Sequence, residues 1–88
     1  MSDSETLLEF PCEFPIKAFG LVSDDFPDKV LRIIRRQVRE TDVVSAQYRH
    51  SQGGKYTAVT ILITATSKNQ VDAIYQDLTD SPDVIMAL

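Results

Sequence analysis

Residues 51–55 read SQGGK, inside the longer run YRHSQGGKYTAVTILITA. Two glycines and a lysine could cradle a phosphate, because glycine leaves backbone N–H groups bare and the ammonium meets the anion. Such a loop needs a strand before it and a helix after it. The residues that follow here, YTAVTILITAT, are β-branched and alternating and read as another strand. Lys55 also comes too soon: the phosphate motif spaces its two glycines five residues apart and places Ser or Thr after the lysine. SQGG is therefore read as a hairpin turn in which Gly53 or Gly54 supplies a positive φ.

No other grouping supports catalysis or metal binding. His50 is the one histidine, and Cys12 the one other soft ligand; a metal site needs more partners at ligand spacing. Cys12 stands next to Glu13, whose charge disfavours a thiolate. Asp24, Asp25 and Asp28 could form a carboxylate cluster, but helix capping and the helix dipole account for all three. Tyr48, Tyr56 and Tyr75 have no base paired with them in the sequence. With neither an acid–base pair nor an activated nucleophile visible, the chain is read as non-enzymatic, with no catalytic residues, cofactor or metal.

The elements that must position any site follow from periodicity. An 88-residue chain is one domain, and a chain this small buries roughly 60–65% of its unfolded surface around one thin core. Residues 1–13 read as an arm, with LLEF as its anchor and Pro11 and Pro15 excluding a helix; residues 14–88 form the domain. FPIKAFGLV alternates and reads as a strand. SDDFPDKVLRIIRRQVRE reads as a helix. Ser23, Asp24 or Asp25 can cap it, Pro27 suits its first turn, and Arg35, Arg36 and Arg39 suit its end. Its buried stripe is Phe26, Val30, Ile33, Ile34 and Val38.

VVSAQYRH and KYTAVTILITAT are strand-forming by residue type. A two- or four-residue loop between them puts Val44, Ala46 and Tyr48 on one face with Val59, Ile61 and Ile63, and this face is expected to be the core. SKNQVDAIYQDLTD opens with the capping-box pair Ser67 and Gln70 and carries Val71, Ile74, Tyr75 and Leu78 as its stripe. DVIMAL closes the chain as a short strand. The order β-α-β-β-α-β is that of the α+β ferredoxin-like split fold. It predicts a four-stranded antiparallel sheet of order 4-1-3-2 with both helices on one face.

That arrangement leaves a second sheet face open. Lys17, Phe19, Ala58, Thr60 and Leu62 are expected on it, with Phe19 and Leu62 as near neighbours on the two central strands, and residues 43–50 form an exposed edge. The arm folding back over this face is the alternative to an interface there. RNA-recognition domains share the topology and stack bases on aromatics of the first and third strands, but Ala58 stands where the central aromatic would be. The net charge of −4 also opposes nucleic-acid binding. Asp3 and Glu5, with no basic residue in MSDSETLLEF, are wrong for a signal peptide, and no run approaches the ~18 apolar residues of a membrane helix. A cytoplasmic location without a membrane partner is expected.

LLEFPCEFPIKAFG, GGKYTAVTILITAT and VIMAL together resemble the YbeD family of small bacterial cytosolic proteins, some of which are named lipoate regulatory proteins. The resemblance spans nearly the whole chain and rests most on LLEFP, on the K-x-x-G of Lys17 to Gly20 and on the G-x-Y of Gly54 to Tyr56. It implies a fold similar to the ACT domain of amino-acid-responsive regulators and brings no catalytic residues. ACT domains hold a ligand at the first strand-to-helix turn, typically D-x-P-G and often across a dimer. The corresponding turn here offers Gly20, Ser23, Asp24 and Asp25, with Asp28 in place of the glycine. The expectation is a regulatory module acting through a protein partner or weak self-association. The alternative is a sensor of an amino acid or a lipoate-related ligand.

Overall fold

The computed structural model describes residues 9–88. Strand β1 spans Cys12–Leu21, helix α1 Phe26–Ile34, strand β2 Val43–His50, strand β3 Tyr56–Ala65, helix α2 Lys68–Asp80 and strand β4 Met86–Ala87. The sheet order is β2-β3-β1-β4, which is the expected 4-1-3-2 read from the other edge, and every pairing is antiparallel. β1 begins inside the segment expected to be arm. Phe10, joined to Pro11 by a cis peptide bond, packs against the core. Leu7 and Leu8 of the expected anchor lie outside the described residues.

Alternation builds the core. Ile16 and Ala18 from β1 and Val59, Ile61, Ile63 and Ala65 from β3 point to one side, where they meet Phe26, Val30, Ile33 and Ile34 of α1 and Val71, Ile74 and Leu78 of α2. Pro15 is tolerated in β1 because of its phase. Lys17 exchanges backbone hydrogen bonds with Leu88 at 3.0 and 2.8 Å, so odd residues of β1 face β4. Among the described residues no β4 bond reaches Pro15, whose missing N–H therefore leaves no ladder gap.

Three local expectations change. Helix α1 stops at Ile34, well short of residue 40; the chain then tightens through Arg36 N–H to Ile33 and Gln37 N–H to Ile34 before burying Val38. Arg35, Arg36 and Arg39 therefore lie beyond the last turn, whose basic residue is Arg32. Asp25 stands at the N-cap but makes no cap bond; its carboxylate accepts the Ser23 hydroxyl instead. In α2 the Ser67 Oγ accepts from the Gln70 N–H at 3.1 Å, while the Gln70 side chain reaches past Ser67 to the Thr66 N–H at 2.7 Å. The same Gln70 amide donates to the Gln37 carbonyl at 2.9 Å, fastening the end of α1 to the start of α2.

The hairpin behaves as its glycines require. His50 faces Thr57, Ser51 N–H bonds the Tyr56 carbonyl at 2.7 Å, and Gly54 has φ 71°. Ala46 pairs with Ile61 and Tyr48 with Val59, the expected face-sharing. Yet Ala46 and Tyr48 are exposed rather than buried, because the helices cover the central strands and leave β2 bare. Val44 is the extra residue of a bulge between Val43 and Ser45; it does not pair with Ile63 and is 48% exposed.

Candidate functional site

The sheet face opposite the helices, which no described residue covers, is assembled from odd residues of β1 and even residues of β3; most of the arm expected as its alternative cover lies outside the described residues. Register places Phe19 opposite Ala58, Lys17 opposite Thr60, Pro15 opposite Leu62 and Leu21 opposite Tyr56. Phe19 and Leu62 are therefore not neighbours: the Lys17–Thr60 pair lies between them. The apolar surface gathers at the other end, where Met86 of β4 pairs with Phe19. Leu21, Tyr56, Met86 and Leu88 are 65, 44, 49 and 58% exposed. The alternation of FPIKAFGLV already puts Leu21 on the same side as Lys17 and Phe19, but Tyr56, Met86 and Leu88 were not anticipated there. Met86 and Leu88 were legible only once the β4 register was known, because a two-residue strand carries no alternation of its own.

Beside this apolar end lies a shallow trough of about 410 Å³ floored by Phe19, Ala58 and Thr60. Lys17 borders it on one side; Gln47, Tyr48 and Arg49 of β2 border it on the other. Among the described residues its two charged groups are both cationic and no carboxylate lines it, although the chain as a whole carries −4. Four of the five expected interface residues thus share one concave surface, and Leu62 stands one step beyond it.

The expected ligand turn is divided. Gly20 is buried, and the space beside it is filled by the protein itself: a Cβ there would lie 2.5 Å from Phe26 Cε1. Ser23 lines a cleft of about 200 Å³ with Phe26, Lys29 and Asp83, and Lys29 Nζ stands 3.6 Å from the Asp83 carboxylate. Asp24 and Asp25 are exposed. The Ser23 hydroxyl, followed by the Lys29 ammonium, holds the Asp25 carboxyl below its ordinary value of 3.8. Asp28 lines a different groove, between α1 and β2. The turn does not converge on one cavity as a ligand site would.

Among the described residues no three His, Cys, Asp or Glu side chains come together as metal ligands. His50 Nδ1 instead lies 2.9 Å from the hydroxyl of the fully buried Thr57, which gives that hydroxyl a polar partner. No helix among the described residues is long and apolar enough to cross a membrane.

Residues 5–88 match a family described as "Protein of unknown function (DUF493)". The chain belongs to this DUF493 family. Its relatives include a UPF0250 protein of Paraburkholderia phytofirmans, 40% identical over 87 residues that cover 99% of this chain and 98% of the other. A UPF0250 protein of Nitrosomonas europaea is 40% identical over 84 residues, covering 96 and 97%. One from Pseudomonas aeruginosa is 42% identical over 82 residues, covering 92 and 88%. The solution structure of protein HP0495 from H. pylori superposes with a TM-score of 0.73 at 11% identity, over 92% of this chain and 85% of that one. At that identity the likeness shows a shared fold. Over the described residues this fold is a four-stranded sheet with one face under helices and the other uncovered.

Proposed function

We propose that this DUF493 protein is a non-enzymatic interaction module whose free sheet face docks a protein segment carrying both apolar and acidic side chains. The observation that supports the reading is the composition of that face. Phe19, Leu21, Tyr56 and Met86 present a contiguous apolar surface, and Lys17 and Arg49 border the adjoining trough with no compensating carboxylate among the described residues. An apolar surface rimmed by charge of one sign favours a complementary partner: burial of the apolar groups supplies affinity, and the cations select against basic or neutral segments. The mixed character suits a reversible contact rather than an obligate one. The sensor alternative has less support, because Phe26 occupies the space beside Gly20 and Asp28 is directed to another groove.

The test is a binding assay with the partner captured from the native cytosol, comparing wild type, Phe19→Asp and the charge reversal Lys17→Glu with Arg49→Glu. Both variants should lose the partner while keeping the wild-type circular dichroism. Wild-type affinity should also fall with added salt. Unchanged affinity in both folded variants would refute the reading.

A further inference from the structure

The free face has a waist, and we propose that one aromatic side chain of the docked segment seats there, above Ala58 and between Phe19 and Arg49. The inference rests on the docking reading of this face and names what the segment must carry. Register sets Phe19, Ala58 and Arg49 in one row across β1, β3 and β2. A second depression, of about 220 Å³, runs from this row toward Tyr56 and the start of the hairpin, and it shares Phe19, Arg49 and Ala58 with the trough. The two hollows therefore join over Ala58 into one groove along β3, from Thr60 to Tyr56. The short side chain of Ala58 opens the waist, and an aromatic there would close it. The residue that speaks against base stacking on this face is thus the one that leaves room for a side chain from outside.

The groove selects both the shape and the chemistry of its occupant. Its walls stand on β1 and β2, on either side of β3, so their backbones are two strand spacings or about 9.6 Å apart. An α-helix is about 10–12 Å across with its side chains, too wide to pass between walls that carry side chains of their own. An extended segment fits. It sends down one row of side chains about 6.8 Å apart, the same repeat that separates Ala58 from Thr60. The side chain over Ala58 meets a phenyl ring on one wall and a guanidinium on the other. An aromatic ring gains from both, packing against Phe19 and taking the Arg49 cation on its face. Two residues along the segment, the next side chain comes down over the Thr60 row, where Lys17 stands. A carboxylate complements that ammonium. The occupant is therefore an extended segment with Asp or Glu two residues from Phe, Tyr or Trp.

Selection from a random phage-displayed peptide library, with the full chain as bait, tests this without the natural partner. The wild type should enrich sequences with an acid two positions from an aromatic residue. A synthetic peptide from that pool should bind Ala58→Leu about tenfold more weakly or worse, the usual loss when an anchor is displaced, because leucine fills the waist. Ala58→Ser keeps the waist open and should bind the peptide as the wild type does. Both variants should keep the wild-type circular dichroism. Replacing the aromatic residue of the peptide by alanine should cost the same factor on the wild type, which decides the matter should Ala58→Leu unfold the chain. Enrichment of no such sequence would overturn the proposal, as would a folded Ala58→Leu that binds the peptide as tightly as the wild type does. The docking face is read separately, by Phe19→Asp and the paired charge reversal against the captured partner. Losses there with an indifferent Ala58→Leu would keep the face and remove the anchor.

Discussion

The ring of Phe26 lies where a side chain on Gly20 would have to go. A Cβ at Gly20 would sit 2.5 Å from Phe26 Cε1 and 2.6 Å from the carbonyl oxygen of Asp83, closer than such atoms approach. The absence of a side chain at Gly20 thus lets the end of β1, the start of α1 and the connection from α2 to β4 meet at one point. The Lys29–Asp83 ion pair spans the same junction.

Gly20→Ala should therefore destabilise the fold by about 1–3 kcal/mol, the usual cost of forcing atoms into a filled interior. The obstacles are a backbone carbonyl and a core ring, neither of which can swing aside. Urea unfolding followed by circular dichroism would read the change as a shift in midpoint at constant slope. An unaltered midpoint would contradict this account of the junction.

The hairpin glycines should separate cleanly. Gly54 has φ 71° and Gly53 does not have a positive φ; neither has a neighbour within 4 Å of a built Cβ. Conformation alone distinguishes them. Gly54→Val should cost on the order of 1–2 kcal/mol, through the strain of a left-handed backbone. Gly53→Ala should be neutral or slightly stabilising, because it restricts the unfolded chain. Equal effects at the two positions would mean that φ does not govern this turn.

Tyr75 offers a prediction at alkaline pH. Burial raises its phenol above the ordinary 10.0, and Phe14 packs edge-on at 6.5 Å between ring centroids. The folded chain thus holds Tyr75 neutral where the unfolded chain would ionise it. Its contribution to stability is complete below the unfolded pKa and is lost as pH rises through the folded one. Tyr75→Phe should flatten the decline of the unfolding midpoint at alkaline pH relative to wild type. Parallel declines in the two proteins would assign the loss to other groups.

A screen of amino acids and lipoate by thermal shift addresses the sensor alternative. A ligand at 100 times its Kd would add about 2.7 kcal/mol of stability, which such a screen would detect. The divided turn predicts no shift from any of them at millimolar concentration. A shift abolished by Ser23→Ala would restore the turn as a binding site.

The sheet was legible because β3 alternates over ten residues and the SQGG turn fixes parity, which together determine which residues of β2 and β3 share a face. Legibility failed where geometry is set between elements. Nothing after Ile34 marks the end of α1: neither glycine nor proline follows, and the Gln37 carbonyl beyond it is met by the Gln70 side chain from another helix, a contact no local pattern encodes. The exposure of Ala46 and Tyr48 depends on how far two helices reach across four strands, which periodicity does not encode. The neighbours of Phe19 depend on the β1–β3 stagger and on the placement of β4, so Leu62 was read as adjacent and Met86 was overlooked.

The docking face is tested most directly by photocrosslinking in living cells, with Phe19 replaced by benzoylphenylalanine and, as control, Gln76 on the exposed side of α2 replaced in the same way. The account predicts a discrete protein adduct from position 19, lost when Lys17→Glu and Arg49→Glu are added, and none from position 76. No adduct from position 19, the same adducts from both positions, or an adduct at position 19 made of RNA rather than protein would contradict it.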